Sequence, residues 1–179
     1  MSETEGRMAT AGWGLWLYGV AAGVVVLDQV TKGIIVRSLE PGASVTVLGL
    51  VLSFTRRSNT GGAFSMLQDR PLVLVFVSAG VLLAILLLGP FLAGTRRLGL
   101  LGLGMVAGGA AGNLLDRVRI GNVVDFIDFH FWPVFNVADI GITLGAALLV
   151  VAVLWGDRPQ VTGDRNDGDG GTAGTAGDR

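Results

Sequence analysis

Residues 112–139 read GNLLDRVRIGNVVDFIDFHFWPVFNVAD and decide how this chain is organised, because apolar stretches of helical length flank them on both sides. Four aspartates fall in this stretch, between Asp116 and Asp139. Carboxylates at the rim of a hydrocarbon layer are costly to hold there, so they usually carry function. Asp125 and Asp139 stand in strongly apolar surroundings, which suit an acid and a base made from the same kind of side chain.

The composition indicates a membrane protein. The chain has 179 residues, of which 51% are hydrophobic and 15% are charged, whereas a soluble domain usually carries about 25% charge. The net charge is −1 without a basic stripe, so we expect no nucleic-acid partner. Cysteine is absent, which excludes disulfides and thiolate chemistry. The single histidine, His130, excludes a His-rich zinc centre and makes a Ser-His-Asp triad improbable, and we expect no metal or other cofactor.

Four apolar stretches have about the length that a membrane span requires, some 20 residues. They run roughly over residues 13–27, 72–93, 98–115 and 134–155, and the first continues past Asp28 to residue 36. The first lacks a basic start and a small-residue cleavage site, so we interpret it as a permanent helix and not a signal peptide. Four spans bring both termini to one side. Arg96 and Arg97 in the turn between spans two and three favour the cytoplasm for that side.

The predicted fold class is mainly α, with four transmembrane helices and a small extracytoplasmic β-sheet between helices 1 and 2. Within the outer segment, about residues 40–70, the sequence SVTVLGLVLSFT predicts two short strands around a turn, or one bent strand, lying on the membrane surface. The domain that we expect covers residues 12–156. Residues 1–11 form a flexible N-terminus, and the Gly-, Asp- and Thr-rich residues 157–179 form a disordered cytoplasmic tail.

Helical rise predicts that three spans bring an aspartate to the same depth. Asp28 follows Trp13 along span one, and Asp139 precedes Trp155 along span four, by nearly equal numbers of residues. At ~1.5 Å per residue both lie roughly 23 Å from the interface that the tryptophans mark, just inside the outer boundary. Asp116 ends span three at this level. Glycines spaced by four in spans three and four allow the helices to pack closely, which gathers these polar ends together.

The charged residues at this level have structural as well as chemical interpretations. Asp28 and Lys32 are four residues apart on one helical face, so an ion pair is the more ordinary role for them. Asp116 precedes Arg117 directly, and a local brace is as reasonable as substrate contact. Asp125 and Asp139 differ, because two facing carboxyl groups can share one proton and then activate water.

Five short blocks occur in order along the spans: LDQVTK, NTGGAFS, GGAAGNLLDR, GNVVDF and FNVAD. Each block alone is a weak signal, whereas the set in this order, over about residues 27–150, is highly specific. Together they resemble the lipoprotein signal peptidase family, also called signal peptidase II. The resemblance implies an aspartic endopeptidase of the bacterial inner membrane that removes the signal peptide from a prolipoprotein by cutting before its diacylglyceryl-modified cysteine.

The resemblance also implies roles for individual residues and partners. The aspartates of VVDF and NVAD would be the catalytic pair, Asp125 and Asp139. Four matching residues would line the substrate site or brace the pair: Asn59, Asn113, Arg117 and Asn136. Three more match positions linked to the architecture of the site: Asp28, Lys32 and Asp116. The implied partners are a lipid-modified prolipoprotein and membrane lipids, and we expect a monomer with its active site near the outer face. Gly62 stands where alanine is common in the family, a mild departure that would loosen its loop.

Two other functions are compatible with acids in a membrane. A small proton-coupled transporter would also use intramembrane carboxylates, but it should have polar groups across the midplane and not at one face alone. A scaffold that binds lipids or proteins through the outer sheet would tolerate asparagine at both aspartates.

Overall fold

A computed structural model of the protein describes residues 3–60, 71–92 and 97–154, with side chains for 15–60, 72–89 and 97–154. The helices are α1 (Glu3–Ser38), α2 (Pro71–Leu92), α3 (Arg97–Ile120) and α4 (Val137–Leu154), and the strands are β1 (Ser44–Leu48), β2 (Leu52–Asn59) and β3 (Val123–Asp128). This confirms the predicted mainly helical fold with a small sheet. The interpretations placed on Gly62, Arg96, Trp155 and residues 157–179 lie outside the described residues, and the domain bounds stay a prediction.

Each helix contains an apolar window long enough to cross a bilayer: Leu15–Ser38, Leu72–Gly89, Arg97–Ile120 and Val137–Leu154. The shortest windows have 18 residues, which at ~1.5 Å per residue approach the ~30 Å of a hydrocarbon core. Burial differs greatly among the four, since 56% of the α3 window is buried but only 6% of the α2 window. The protein is therefore a four-span bundle in which α3 is central and α2 is peripheral.

Small residues let α3 approach its neighbours at backbone distance. A Cβ atom on Gly104 would lie 2.8 Å from the carbonyl oxygen of Leu17 in α1, and one on Gly108 would lie 2.6 Å from that of Ala21. On another side of α3, a Cβ on Gly109 would collide with the carbonyl oxygen of Ala138 in α4. The glycine faces expected from the sequence thus hold α1 and α4 against α3.

The strands form one antiparallel sheet in the order β1-β2-β3. β1 and β2 form a hairpin between α1 and α2, which is the first of the two expected alternatives and excludes a single bent strand. Its turn contains Gly49 in the left-handed region, at φ 47°. β3 comes from the segment between α3 and α4, and it adds a third strand to the sheet that was expected between helices 1 and 2 alone. Its pairing with β2 places Arg57 opposite Asp125. The sheet therefore joins the two outer segments into a single unit.

The sheet is fastened to the end of α1. Arg56 on β2 donates through Nη1 to the carbonyl oxygens of Val36, at 3.1 Å, and Leu39, at 2.8 Å. The last carbonyls of a helix have no partner within the helix, so this side chain caps α1 from another element. The hairpin therefore begins at the level where the first span ends.

Candidate active site

Asp139 lies in the first turn of α4, within a reciprocal cap formed with Asn136. The side-chain Oδ1 of Asn136 accepts the backbone N–H of Asp139 at 3.0 Å, and Asp139 Oδ2 accepts the backbone N–H of Asn136 at 3.3 Å. This is the arrangement of a capping box, with Asn at the N-cap and Asp three residues on. The α4 N-terminus thereby fixes the Asp139 carboxylate in direction as well as in position.

Asp125 lies on β3 and is buried, with 2% of its surface exposed. Its Oδ1 accepts an N–H from Asn136 at 2.6 Å, and its Oδ2 accepts one from Asn59 on β2 at 2.8 Å. The pKa of Asp125 lies at about 6, above its ordinary 3.8, chiefly because burial penalises the charged form. The carboxylate of Asp139 acts in the same direction, while the amide hydrogen bonds oppose the rise.

Two asparagines connect the carboxyl groups. Asn136 Nδ2 donates both to Asp125 Oδ1 and, at 3.2 Å, to Asn113 Oδ1. Asn113 Nδ2 in turn donates to Asp139 Oδ1 at 2.8 Å. The resulting order is Asp125, Asn136, Asn113, Asp139, and its three side-chain amide hydrogen bonds end on Asp125 Oδ1, Asn113 Oδ1 and Asp139 Oδ1. The two aspartates therefore belong to one hydrogen-bonded unit drawn from β3, α3 and α4.

A buried ionic cluster lies behind this unit. Lys32 Nζ in α1 contacts Asp28 Oδ2 and Asp116 Oδ2, each at 2.8 Å, and donates to Asn113 Oδ1 at 3.1 Å. The predicted pairing of Asp28 with Lys32 is thus confirmed. Asp116 forms its ion pair with Lys32 of α1. Its Oδ2 also accepts the backbone N–H of Val124 in β3 at 3.2 Å. The cluster ties α1, α3 and β3 together at the depth where the aspartates were expected to meet.

Two contacts within the cluster were not anticipated. Gln29 Nε2 donates to Asp116 Oδ1 at 2.9 Å, with longer bonds to Asp28 Oδ2 and the carbonyl oxygen of Gly112. Asp28 Oδ1 accepts the backbone N–H of Ala138, in the first turn of α4, at 2.9 Å. Asp28 therefore caps the same helix end that carries Asp139. The only sequence signal for Gln29 is a polar amide inside an apolar helix, next to Asp28.

A cavity of about 490 Å³ opens beside the carboxyl groups. Its polar end includes Asn59, Asn113, Arg117, Asp125 and Asp139. Its apolar wall comes from three helices and the β3–α4 loop, and includes Leu74 and Val77 of α2, Val106 of α3, Ile142 of α4 and Trp132 of the loop. A cavity of this size, apolar with polar groups converging at one end, is typical of a ligand site.

Arg117 lines the cavity with spare hydrogen-bonding capacity. Its Nη1 makes a long bond, 3.5 Å, to the carbonyl oxygen of Asn113, one turn earlier in α3. Its Nε is buried and has no hydrogen-bond partner among the described residues. A buried donor without a partner is costly. Arg117 is therefore available to a ligand in the cavity.

The remaining acid of β3, Asp128, belongs to a separate group on the outer sheet. Asp128 accepts hydrogen bonds from the backbone N–H of His130 at 2.8 Å and from the hydroxyl of Thr55 at 3.0 Å. The His130 N–H is the main cause that lowers the pKa of Asp128. His130 Nε2 lies 3.1 Å from the hydroxyl of Ser53, so serine, histidine and aspartate do meet here. Ser53 is only 2% exposed, so a substrate cannot reach its hydroxyl and it is not a nucleophile.

The aromatic residues of this segment also divide into two groups. Phe126 is buried and packs edge to face on Phe54 with ring centroids 6.0 Å apart. Phe131 and Trp132 are exposed, as an interfacial position requires.

The site residues named in the sequence analysis are thus all brought together around the cavity and its ionic cluster. The described residues contain no group of three or more His, Cys, Asp or Glu side chains that could hold a metal ion.

Comparison with known proteins agrees with this arrangement of helices and sheet. Residues 20–155 match the family model described as signal peptidase (SPase) II. The chain is 43% identical over 155 residues to a lipoprotein signal peptidase of Mycobacterium leprae (strain Br4923), which covers 83% of this chain and 76% of the relative. It is 40% identical over 142 residues to one of Brevibacillus brevis, covering 78% and 95%. A solved bacterial membrane enzyme, obtained by the in meso method at 2.3 Å resolution, superimposes with a TM-score of 0.72 at 33% identity, covering 75% and 85%.

Proposed function

The chain belongs to the signal peptidase II family, and we propose that it cleaves the signal peptide from diacylglyceryl-modified prolipoproteins with Asp125 and Asp139 as its catalytic pair. Family membership makes it a peptidase, and the four spans make it a multi-pass bacterial membrane protein. The observation that carries the proposal is the hydrogen-bonded unit in which two asparagines join the two carboxyl groups at the polar end of one cavity.

In the proposed mechanism Asp125 holds the proton and Asp139 is ionised. A pKa of about 6 lets Asp125 keep a proton over part of the working pH range. Burial opposes the negative form of Asp139, but its position at the positive end of the α4 dipole and the N–H donors on both of its oxygens offset part of that cost. Two neighbouring carboxylates cannot readily both be charged, so the pair holds one proton between them.

The reaction follows from this protonation state. The Asp139 carboxylate takes a proton from water as the water oxygen bonds to the scissile carbonyl carbon. The Asp125 proton stabilises the oxygen that becomes negative. A proton then passes to the leaving nitrogen, the carbon–nitrogen bond breaks, and the products are a new carboxyl group and a new amine. The four N–H contacts from Asn59, Asn113 and Asn136 hold the oxygens in place throughout.

We propose that the cavity receives the end of the substrate's signal helix and the residues that follow it. Its apolar wall, which includes Leu74 and Ile142, suits an apolar segment, and Arg117 offers its free Nε to a carbonyl or ester oxygen of the substrate. The weak burial of α2 suggests that substrate enters sideways from the bilayer, past this helix. Both termini lie in the cytoplasm in this proposal, with the sheet and the carboxyl groups at the outer face, and the enzyme acts as a monomer without a cofactor.

The test is a cleavage assay with purified protein and a diacylglyceryl-modified prolipoprotein, read by gel shift and by mass spectrometry of both products. We expect one cut, directly before the modified cysteine, and no cut in the same protein without its lipid. A cut elsewhere, or equal cleavage of the unmodified protein, would refute the proposed specificity. If no cleavage occurs and liposomes show flux that follows a pH gradient, the transporter interpretation gains instead.

A further inference from the structure

The β1–β2 hairpin exposes an unusual amount of apolar surface. At its turn Leu48 is 63% exposed, Leu50 is 94% exposed and Val51 is 53% exposed. Val45 and Val47 on β1 are also about half exposed. Scattered apolar residues on a surface are ordinary, but a contiguous group marks an interaction site or a lipid contact.

The hairpin also lacks the features that protect an edge strand in water. β1 is an edge of the sheet, and all five of its residues are exposed. Proteins in water usually defend such an edge with lysine, proline or an inward-pointing charge. Between Glu40 and Arg56 this chain has no charged residue, and its one proline there, Pro41, precedes the strand. An exposed apolar edge of this kind is prone to aggregate in water.

The position of the hairpin indicates what lies against its exposed apolar residues. Arg56 fastens the sheet to the last carbonyls of α1, so the hairpin starts where the first span leaves the hydrocarbon layer. Ile34 and Val36, in the final turns of α1, are exposed apolar residues of the lipid-facing surface. The base of the hairpin therefore lies beside an exposed apolar part of α1. Exposed Arg57 follows on the next strand and suits the phosphate groups at the same level.

We propose that the hairpin is a membrane anchor, in which the tip residues Leu48, Leu50 and Val51 insert into the leaflet at the C-terminal end of α1. The inserted tip fixes the sheet on the bilayer surface. Because β3 pairs with β2, the anchor also sets the height of Asp125 above the hydrocarbon layer. The anchor requires neither substrate nor catalytic activity, so it can be tested separately from the proposed reaction.

The experiment uses the absence of cysteine from the chain, which allows one labelled cysteine at a time. The full-length Leu50→Cys variant carries an environment-sensitive NBD dye and is reconstituted into vesicles of phosphatidylcholine and phosphatidylglycerol without substrate. We expect blue-shifted emission and loss of fluorescence when nitroxide-labelled lipids are included. A shallow nitroxide should quench more than a deep one, because an interfacial apolar face lies about 5–10 Å into the headgroup and acyl boundary.

Neighbouring residues of β1 provide matched controls. Successive side chains of a strand point to opposite faces; Val45 pairs across to apolar Phe54, whereas Thr46 pairs with Ser53. Dye at Val45→Cys should therefore be quenched more strongly than dye at Thr46→Cys. Should Leu50→Cys not fold, as judged by its thermal unfolding profile, Val51→Cys reports on the same tip.

Water-like emission and no quenching at the tip of the folded protein would overturn the proposal. The anchor would be excluded equally if the dye became protected only after substrate or another protein was added, because the tip would then be a protein-docking surface.

Discussion

Replacing Lys32 with methionine tests whether the ionic cluster holds the site together. Lys32 Nζ lies 2.8 Å from an oxygen of Asp28 and 2.8 Å from an oxygen of Asp116, and 4% of its side chain is exposed. Removing one partner from a buried ion pair costs about 3–5 kcal/mol, because it leaves an uncompensated charge. Here two carboxylates lose the same cation, so we expect a loss at the upper end of that range. A whole domain is stable by only about 5–15 kcal/mol, so the effect should be large.

The measurement is denaturant unfolding of the purified protein in detergent micelles, with Arg37→Met as the matched control. Arg37 is an exposed cation in the last turn of the same helix, and its loss should change the free energy of unfolding by about 0.5 kcal/mol or less. Asp116→Asn should also cost less in the Lys32→Met background than in the wild type, because neighbouring members of a network couple by about 0.5–3 kcal/mol.

Lys32→Met should also reduce cleavage in the protein that remains folded, since Lys32 donates to Asn113, whose amide orients Asp139. Unfolding of Lys32→Met at the same denaturant concentration as Arg37→Met would refute this reasoning. It would mean that the two carboxylates are compensated by groups other than Lys32.

Three further predictions concern the site. Because the pKa of Asp125 is raised from 3.8 to about 6, the folded state holds this proton more tightly than the unfolded state. The stability of the wild type relative to Asp125→Asn, measured by denaturant unfolding, should therefore fall as pH rises from 3.8 to about 6 and level off at higher pH. The value of kcat/KM should decline above a pH of about 6, where Asp125 loses its proton. Gly112→Ala places a methyl group 2.6 Å from Asp28 Oδ2 and should lower both the melting temperature and the cleavage activity. Gly80→Ala in α2 is the control and should be neutral, because a Cβ atom there has nothing within 4 Å. Equal effects of the two substitutions would contradict the close contact between Gly112 and Asp28. Arg117→Gln should raise KM by roughly tenfold or more if Nε binds substrate, because a hydrogen bond to a charged group contributes about 1.5–3 kcal/mol. An unchanged KM would exclude that contact.

Much of the fold was predictable because bilayer dimensions restrict a chain of this composition to a few solutions. Four apolar windows gave four helices, and helical rise alone placed Asp28 near the level of Asp139, which the bond from Ala138 to Asp28 confirms. The hairpin around Gly49 was predictable because β1 is rich in β-branched residues and a glycine turn separates it from the apolar start of β2. These features depend on local sequence.

The features that the sequence did not predict depend on contacts between distant segments. β3 is a short apolar segment with two aspartates, and its local pattern does not reveal that it pairs with β2, which lies more than 60 residues earlier in the chain. The bridging role of Asn136 depends on where Asn113 lies in α3. A partial signal did exist, because Asn136 and Asp139 have the spacing of a capping box at the start of an apolar helix. No local pattern could have paired Asp116 with Lys32.

The most direct test of the central claim is the single-turnover cleavage rate of a lipidated prolipoprotein by Asp125→Asn, Asp139→Asn and Asp128→Asn enzymes. Asp128 is the matched control, since it lies on the same strand as Asp125 but bonds to Thr55 and His130 on the outer sheet. Our account predicts that the first two variants fold, bind substrate and cleave nothing measurable, while Asp128→Asn cleaves at close to the wild-type rate. Substantial turnover by either Asp125→Asn or Asp139→Asn would contradict it.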